Sequence, residues 1–162
     1  MAQLTGGPTA NFTADHKGVD RHPAWSPDGN QIAFASERDG RGIYLMLAIG
    51  GPSQKVSPAA SARTFLYSPE WSSDGAELAY ILVEDNTPFI EIILIRTRES
   101  RRLRIPGPAG NRHDLRWSPD GRFFAYVRAG GLGGVSWPSV LRVSDAQAFA
   151  VNDVMSGYGS PM

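Results

Sequence analysis

The chain has 162 residues, 41% of them hydrophobic and 20% charged, which is enough to bury a core and too apolar for a disordered segment. Its 16 basic and 16 acidic residues cancel, so there is no global electrostatic case for nucleic acid as the partner. Cysteine is absent, which excludes a disulfide framework and a thiolate metal site.

In chain order, the opening "MAQLTGGPTANF" lacks a basic region followed by an apolar run, so no export signal is visible. From residue 22, "HPAWSPDGNQIAF" reads as strand, tight turn, strand. Proline suits a turn position with φ of about −65°, Asp28 can bond local amides, and Gly29 tolerates positive φ. "SERDG" (36–40) supplies another turn, and "IYLMLAI" and "QKVS" complete a four-stranded antiparallel meander. The second unit repeats the layout with "EWSSDGAELAY", the turn "EDNTP", the strongly apolar "FIEIILI" and a last strand "RRLRI". The third gives "RWSPDGRFFAY", a glycine-rich link "GGLGG", the strand "SVLRVS" and a weaker "AFAV". The longest apolar runs, "LAYILV" and "FIEIILI", are strand-sized and well short of the roughly 20 residues that span a bilayer.

The repeat is regular. Trp25, Trp71 and Trp117 are 46 apart both times, followed by Asp28-Gly29, Asp74-Gly75 and Asp120-Gly121, then by Ala33, Ala79 and Ala125, each before an aromatic. No stretch has a helical period with caps, so the chain is all-β. A four-stranded sheet of this size cannot bury both faces alone, and like sheets stacked around an axis can. The fold expected is a partial β-propeller of three blades, at 20–57, 65–105 and 112–152, with an N-terminal outer strand and linker at 1–19 and a tail at 153–162. The tryptophans and the Ala-aromatic pairs are then the residues packed between blades.

These motifs resemble the TolB-like β-propeller repeat family, whose signature is Pro-x-Trp-Ser-Pro-Asp-Gly followed by an Ile-Ala-Phe strand and an Ile-Tyr strand. "HPAWSPDGNQIAFASERDGRGIYLM" matches almost throughout, and the resemblance covers about residues 20–145. The second unit departs at Ser73, and the third has Leu115 where the others have Pro23 and Pro69. The resemblance implies protein recognition through loops, channel mouth or open edges, often in the periplasm. It also implies that Gln3 to Thr5 forms a clasp strand completing another blade. Propellers typically close with 4 to 8 blades, so a protein partner or a second copy is expected at the open edges. The runner-up is the propeller part of a prolyl-oligopeptidase-like hydrolase, gating or positioning substrate.

No catalytic, cofactor or metal site is expected. The recurring aspartates are explained by turn chemistry, no loop has the acids of an EF-hand, and "GVSWP" and "GYGSP" both miss the nucleophile elbow. Partner-binding candidates come from three features. His22 and His113 precede a repeat tryptophan, near the entrance of an inner strand that would line the channel. Arg96, Arg98, Arg101, Arg102 and Arg104 crowd the outer hairpin of the second blade against Glu99, where they suit edge protection or an acidic protein or anionic membrane surface. Trp137 sits in the irregular "GGLGGVSWPS", read as a loop carrying a contact anchor.

Overall fold

The computed structural model describes residues 11–14, 16–61, 63–106, 112–129 and 136–150. Three antiparallel four-stranded sheets account for them, and no helix occurs among the described residues. The first blade comprises β1 (Asp20–Trp25), β2 (Gln31–Ser36), β3 (Gly42–Leu47) and β4 (Gln54–Lys55). The second comprises β5 (Thr64–Trp71), β6 (Glu77–Glu84), β7 (Thr87–Leu94) and β8 (Ser100–Arg104), and the third β9 (Arg112–Trp117), β10 (Phe123–Ala129), β11 (Ser136–Arg142) and β12 (Ala148–Ala150). Each sheet is a plain meander, and the first strand of each lies beside the first strand of the next. That is the stacking of a partial β-propeller, with β1, β5 and β9 innermost. The expected clasp at Gln3 to Thr5 lies outside the described residues.

One hydrogen-bond pattern explains why the same few residue types recur. In each β1–β2-type turn a serine hydroxyl (Ser26, Ser72, Ser118) donates to the Asp carboxylate two residues on (Asp28, Asp74, Asp120) at 2.6–2.7 Å. The same hydroxyl accepts the amide five residues on at 2.9 Å (Gln31, Glu77, Phe123). The glycine of the turn takes φ of 72–73° and donates its amide to the serine carbonyl at 2.9 Å. The serine hydroxyl, with the backbone amides, holds these three carboxyls below their ordinary value. Elsewhere the expected turn "EDNTP" tightens to Asp85 and Asn86, both at positive φ, the two-residue form that matches strand twist.

Strand alternation sends the two halves of each Ala-aromatic pair to opposite faces. Ala33 and Ala79 are fully buried on the face toward the next blade, whereas Tyr80 and Tyr126 fill the seam with the preceding one. The first seam joins Ala33, Ala35, Ile43 and Leu45 to Trp71, Leu78, Tyr80 and Leu82. The second joins Ile81, Ile90 and Ile92 to Leu115, Phe124, Tyr126 and Leu141. Only the second blade has a described neighbour on both sides, which is why its third strand reads as an apolar run broken only by Glu91.

The repeat tryptophans differ in their surroundings, which corrects the expectation that all three are wedged between blades. Trp71 is 7% exposed and its indole donates to the Ala24 carbonyl across the seam at 3.3 Å. Trp117 is half-buried against Phe124 and donates to Gly121 in its own turn at 3.1 Å. Trp25 is 61% exposed because no described blade precedes its own. On that leading face Phe34 and Tyr44 are instead covered by Arg38, whose guanidinium lies 5.3 Å and 5.7 Å from the two rings. It pairs with Asp20 at 2.8 Å and donates to Ser53 at 2.6 Å. At the other end of the chain Ala125 is exposed.

Candidate binding face along the inner strands

Each innermost strand breaks its pairing at the same place. His22, Ser68 and Asp114 are 46 residues apart and all have positive φ, of 54°, 48° and 58°. The register shifts between Arg21 and Ala24, between Tyr67 and Glu70, and opposite Ala125 and Val127. Non-glycine residues enter this region only at a cost of order 1–3 kcal/mol. A threefold recurrence marks the bulge as a requirement of the architecture, one that bends the inner strand and re-aims its side chains.

The bulges bring the inner strands of the three blades into contact. Asp114 donates its amide to the Ser68 hydroxyl at 3.1 Å, and its carboxylate lies 2.7 Å from His113 Nδ1. The His22 ring meets Tyr67 edge-on at 6.1 Å, and its Nδ1 is buried without a hydrogen-bond partner. Burial above all, with help from Arg21 and His113 and against the pull of Asp114, lowers the His22 pKa below 6.5. The two predicted histidines therefore share one strip of surface. Among the described residues, no group of three His, Asp or Glu is arranged to hold a metal ion.

Outward from His22, Tyr67 leads into a cleft of about 80 Å³ between the first two blades. Ala35 and Leu66 form its buried floor, Phe65 and Tyr67 one wall, and Arg21, Glu37 and Arg41 the rim. The Phe65 and Tyr67 rings are parallel at 6.4 Å, and the Arg41 guanidinium lies 4.7 Å from the Phe65 ring centre. Sequence reasoning passed over Phe65, Tyr67 and Arg41. A signal existed in the departure from the repeat: the positions matching Phe65 and Tyr67 hold Val19 and Arg21 in the first blade and Asn111 and His113 in the third.

The arginine cluster lies elsewhere, on the outer strand β8 and the turn before it, and is divided. Arg101 pairs with Glu77, while Arg102 bridges Glu91 at 3.2 Å and Glu84 at 2.9 Å. Arg98 donates to Gln54 of the neighbouring blade at 3.4 Å, and Arg96 and Arg104 are exposed. Trp137 is part of β11 rather than of a loop, 38% exposed, with the Arg128 guanidinium 5.7 Å from its ring. The stretch "GGLGGVSWPS" read as a loop is thus strand from Ser136 on, which pairs with Ala129.

No protein-family model matches the chain. Among curated proteins, it is 42% identical over 65 residues to the Tol-Pal system protein TolB of Alcanivorax borkumensis, covering 39% of this chain and 14% of that protein. It is 36% identical over 80 residues to Tricorn protease homolog 1 of Streptomyces coelicolor, covering 49% and 7%. Among solved structures, a TolB from Agrobacterium tumefaciens aligns with a TM-score of 0.64 at 22% identity, over 82% of this chain and 46% of that one. The β-propeller domain of the Trilobed protease from Pyrococcus furiosus aligns with a TM-score of 0.54 at 15% identity, over 82% and 41%. The chain thus spans less than half the length of these proteins. The structural matches speak for the fold, a partial β-propeller.

Proposed function

We propose that the chain is a non-enzymatic protein-binding or scaffold module that works within a larger assembly. One observation carries this reading: among the described residues, repeat positions that are closed within the inner seams stand open at Trp25 and Ala125. Ala33 and Ala79 are 0% exposed while Ala125 is exposed, and Trp71 is 7% exposed while Trp25 is 61% exposed. Apolar faces of this kind recruit a partner or aggregate. An envelope location belongs to the same proposal and is supported by the likeness to TolB. The test is the native mass of the particle with identification of what co-purifies. The reading expects a species heavier than the 17.5 kDa chain, reduced when Ala125→Arg places a charge on the third blade's open face. A monodisperse 17.5 kDa monomer with no partner would overturn it.

A second reading is favoured by the likeness to Tricorn protease homolog 1 and the Trilobed protease: a propeller that gates or positions substrate for a hydrolase domain. It expects an α/β-hydrolase domain in the same reading frame or in a tightly bound subunit. Sequencing the flanking reading frame and mass spectrometry of the co-purified subunits separate the two readings.

A further inference from the structure

We propose that the cleft between the first and second blades is a docking site for an acidic peptide segment that carries an apolar side chain between its carboxylates. This rests on the protein-binding reading and names the chemistry of the partner. Both walls of the cleft belong to described blades of this chain, so the site is complete without any further blade. Its volume of about 80 Å³ is far below the roughly 300–1,000 Å³ of small-molecule pockets. It suits one side chain protruding from a larger partner.

The walls say what that partner presents. Phe65 is 44% exposed and lies parallel to the Tyr67 ring at 6.4 Å, so the two rings form one apolar platform. Arg41 has no carboxylate within ion-pair distance among the described residues; it lies over Phe65 and donates to the Thr64 carbonyl at 3.4 Å. Arg21 reaches Glu37 only at 3.4 Å, with both side chains 43% exposed. The rim therefore has a surplus positive charge beside an exposed ring. An approaching carboxylate gains a partner that no described residue supplies, while an apolar side chain covers Phe65 and the floor. A nucleic acid needs several cations in line with its phosphates; here the rim has only Arg21 and Arg41 among the described residues, and Glu37 pairs with Arg21, which favours a peptide.

The experiment is fluorescence anisotropy with three labelled peptide probes, one with leucine between aspartate and glutamate, one with leucine between lysines, and one with serine between the acids. The first should bind saturably and the other two at least about tenfold more weakly. Arg41→Glu and Phe65→Ala should each weaken the first probe by about tenfold or more, Arg41→Lys should keep most of the binding, and Arg104→Ala on the outer strand should change nothing. Far-UV circular dichroism checks folding; if Arg41→Glu does not fold, Arg41→Gln takes its place. No saturable binding, equal binding of the lysine probe, or full binding by the folded Arg41 variant would overturn the proposal. So would tighter, Arg41-dependent binding of a single-stranded oligonucleotide. A co-purifying protein that remains on the Arg41 variant would sink the cleft as its site and leave the protein-binding function standing.

Discussion

Alanine in place of each repeat tryptophan should produce three different losses, although all three stand at the same position of the repeat before a Ser and an Asp-Gly turn. A tryptophan ring presents about 200 Å². The change from 61% exposure at Trp25 to 7% at Trp71 hides roughly 110 Å² more, or about 2.7 kcal/mol at ~25 cal/mol per Å². The indole hydrogen bond to the Ala24 carbonyl adds about 1 kcal/mol. Trp71→Ala should therefore destabilise by about 3 to 4 kcal/mol more than Trp25→Ala, with half-buried Trp117 between them. Urea unfolding followed by far-UV circular dichroism reads this directly. At a slope of about 2 kcal/mol per molar, the midpoints of the Trp71 and Trp25 variants should differ by roughly 1.5 to 2 M with the slope unchanged. Equal losses at Trp25 and Trp71 would refute the reasoning, because the tryptophan would then act through its own turn and not through the seam.

Three further outcomes are expected. Ala79→Leu should lose about 1–3 kcal/mol by overpacking a closed seam, while Ala125→Leu should stay within about 0.5 kcal/mol; equal losses in urea would show the third blade's outer face covered in solution. Ser72→Ala removes the acceptor of the Glu77 amide and the donor to Asp74, and should lower the unfolding free energy by about 1–2 kcal/mol, against no change if the turn holds itself. Because burial keeps the His22 pKa below 6.5, the unfolded chain binds the proton first as pH falls through that value, so stability rises with pH in this window and drops below it. His22→Phe should flatten the urea midpoint between about pH 7 and pH 5; an unchanged slope would rule His22 out as the source.

The blade repeat was legible because a single network fixes its residue types. The turn needs a hydroxyl, a carboxylate and a residue free at positive φ, so Ser, Asp and Gly recur in every copy. The bulge recurs as faithfully and left no trace, since it constrains backbone only and is filled by His22, Ser68 and Asp114. The arginines of the outer strand read as one charged patch because Glu84 and Glu91, which neutralise Arg102, come from β6 and β7 across the sheet. Trp25 and Trp71 share the same local motif and differ only in whether another sheet faces them, which no window of neighbouring residues contains. The cleft was missed for a related reason. Arg41 and Phe65 are 24 positions apart and meet only when a hairpin tip of the first blade and the start of β5 converge.

The covering of Phe34 and Tyr44 by Arg38 makes the first blade's outward face chemically unlike that of the third, where Ala125 is exposed. Identical molecules queuing head to tail would have to pull a guanidinium, its side chain 9% exposed, off two rings and away from Asp20, a rearrangement that strands a charge and is opposed by several kcal/mol.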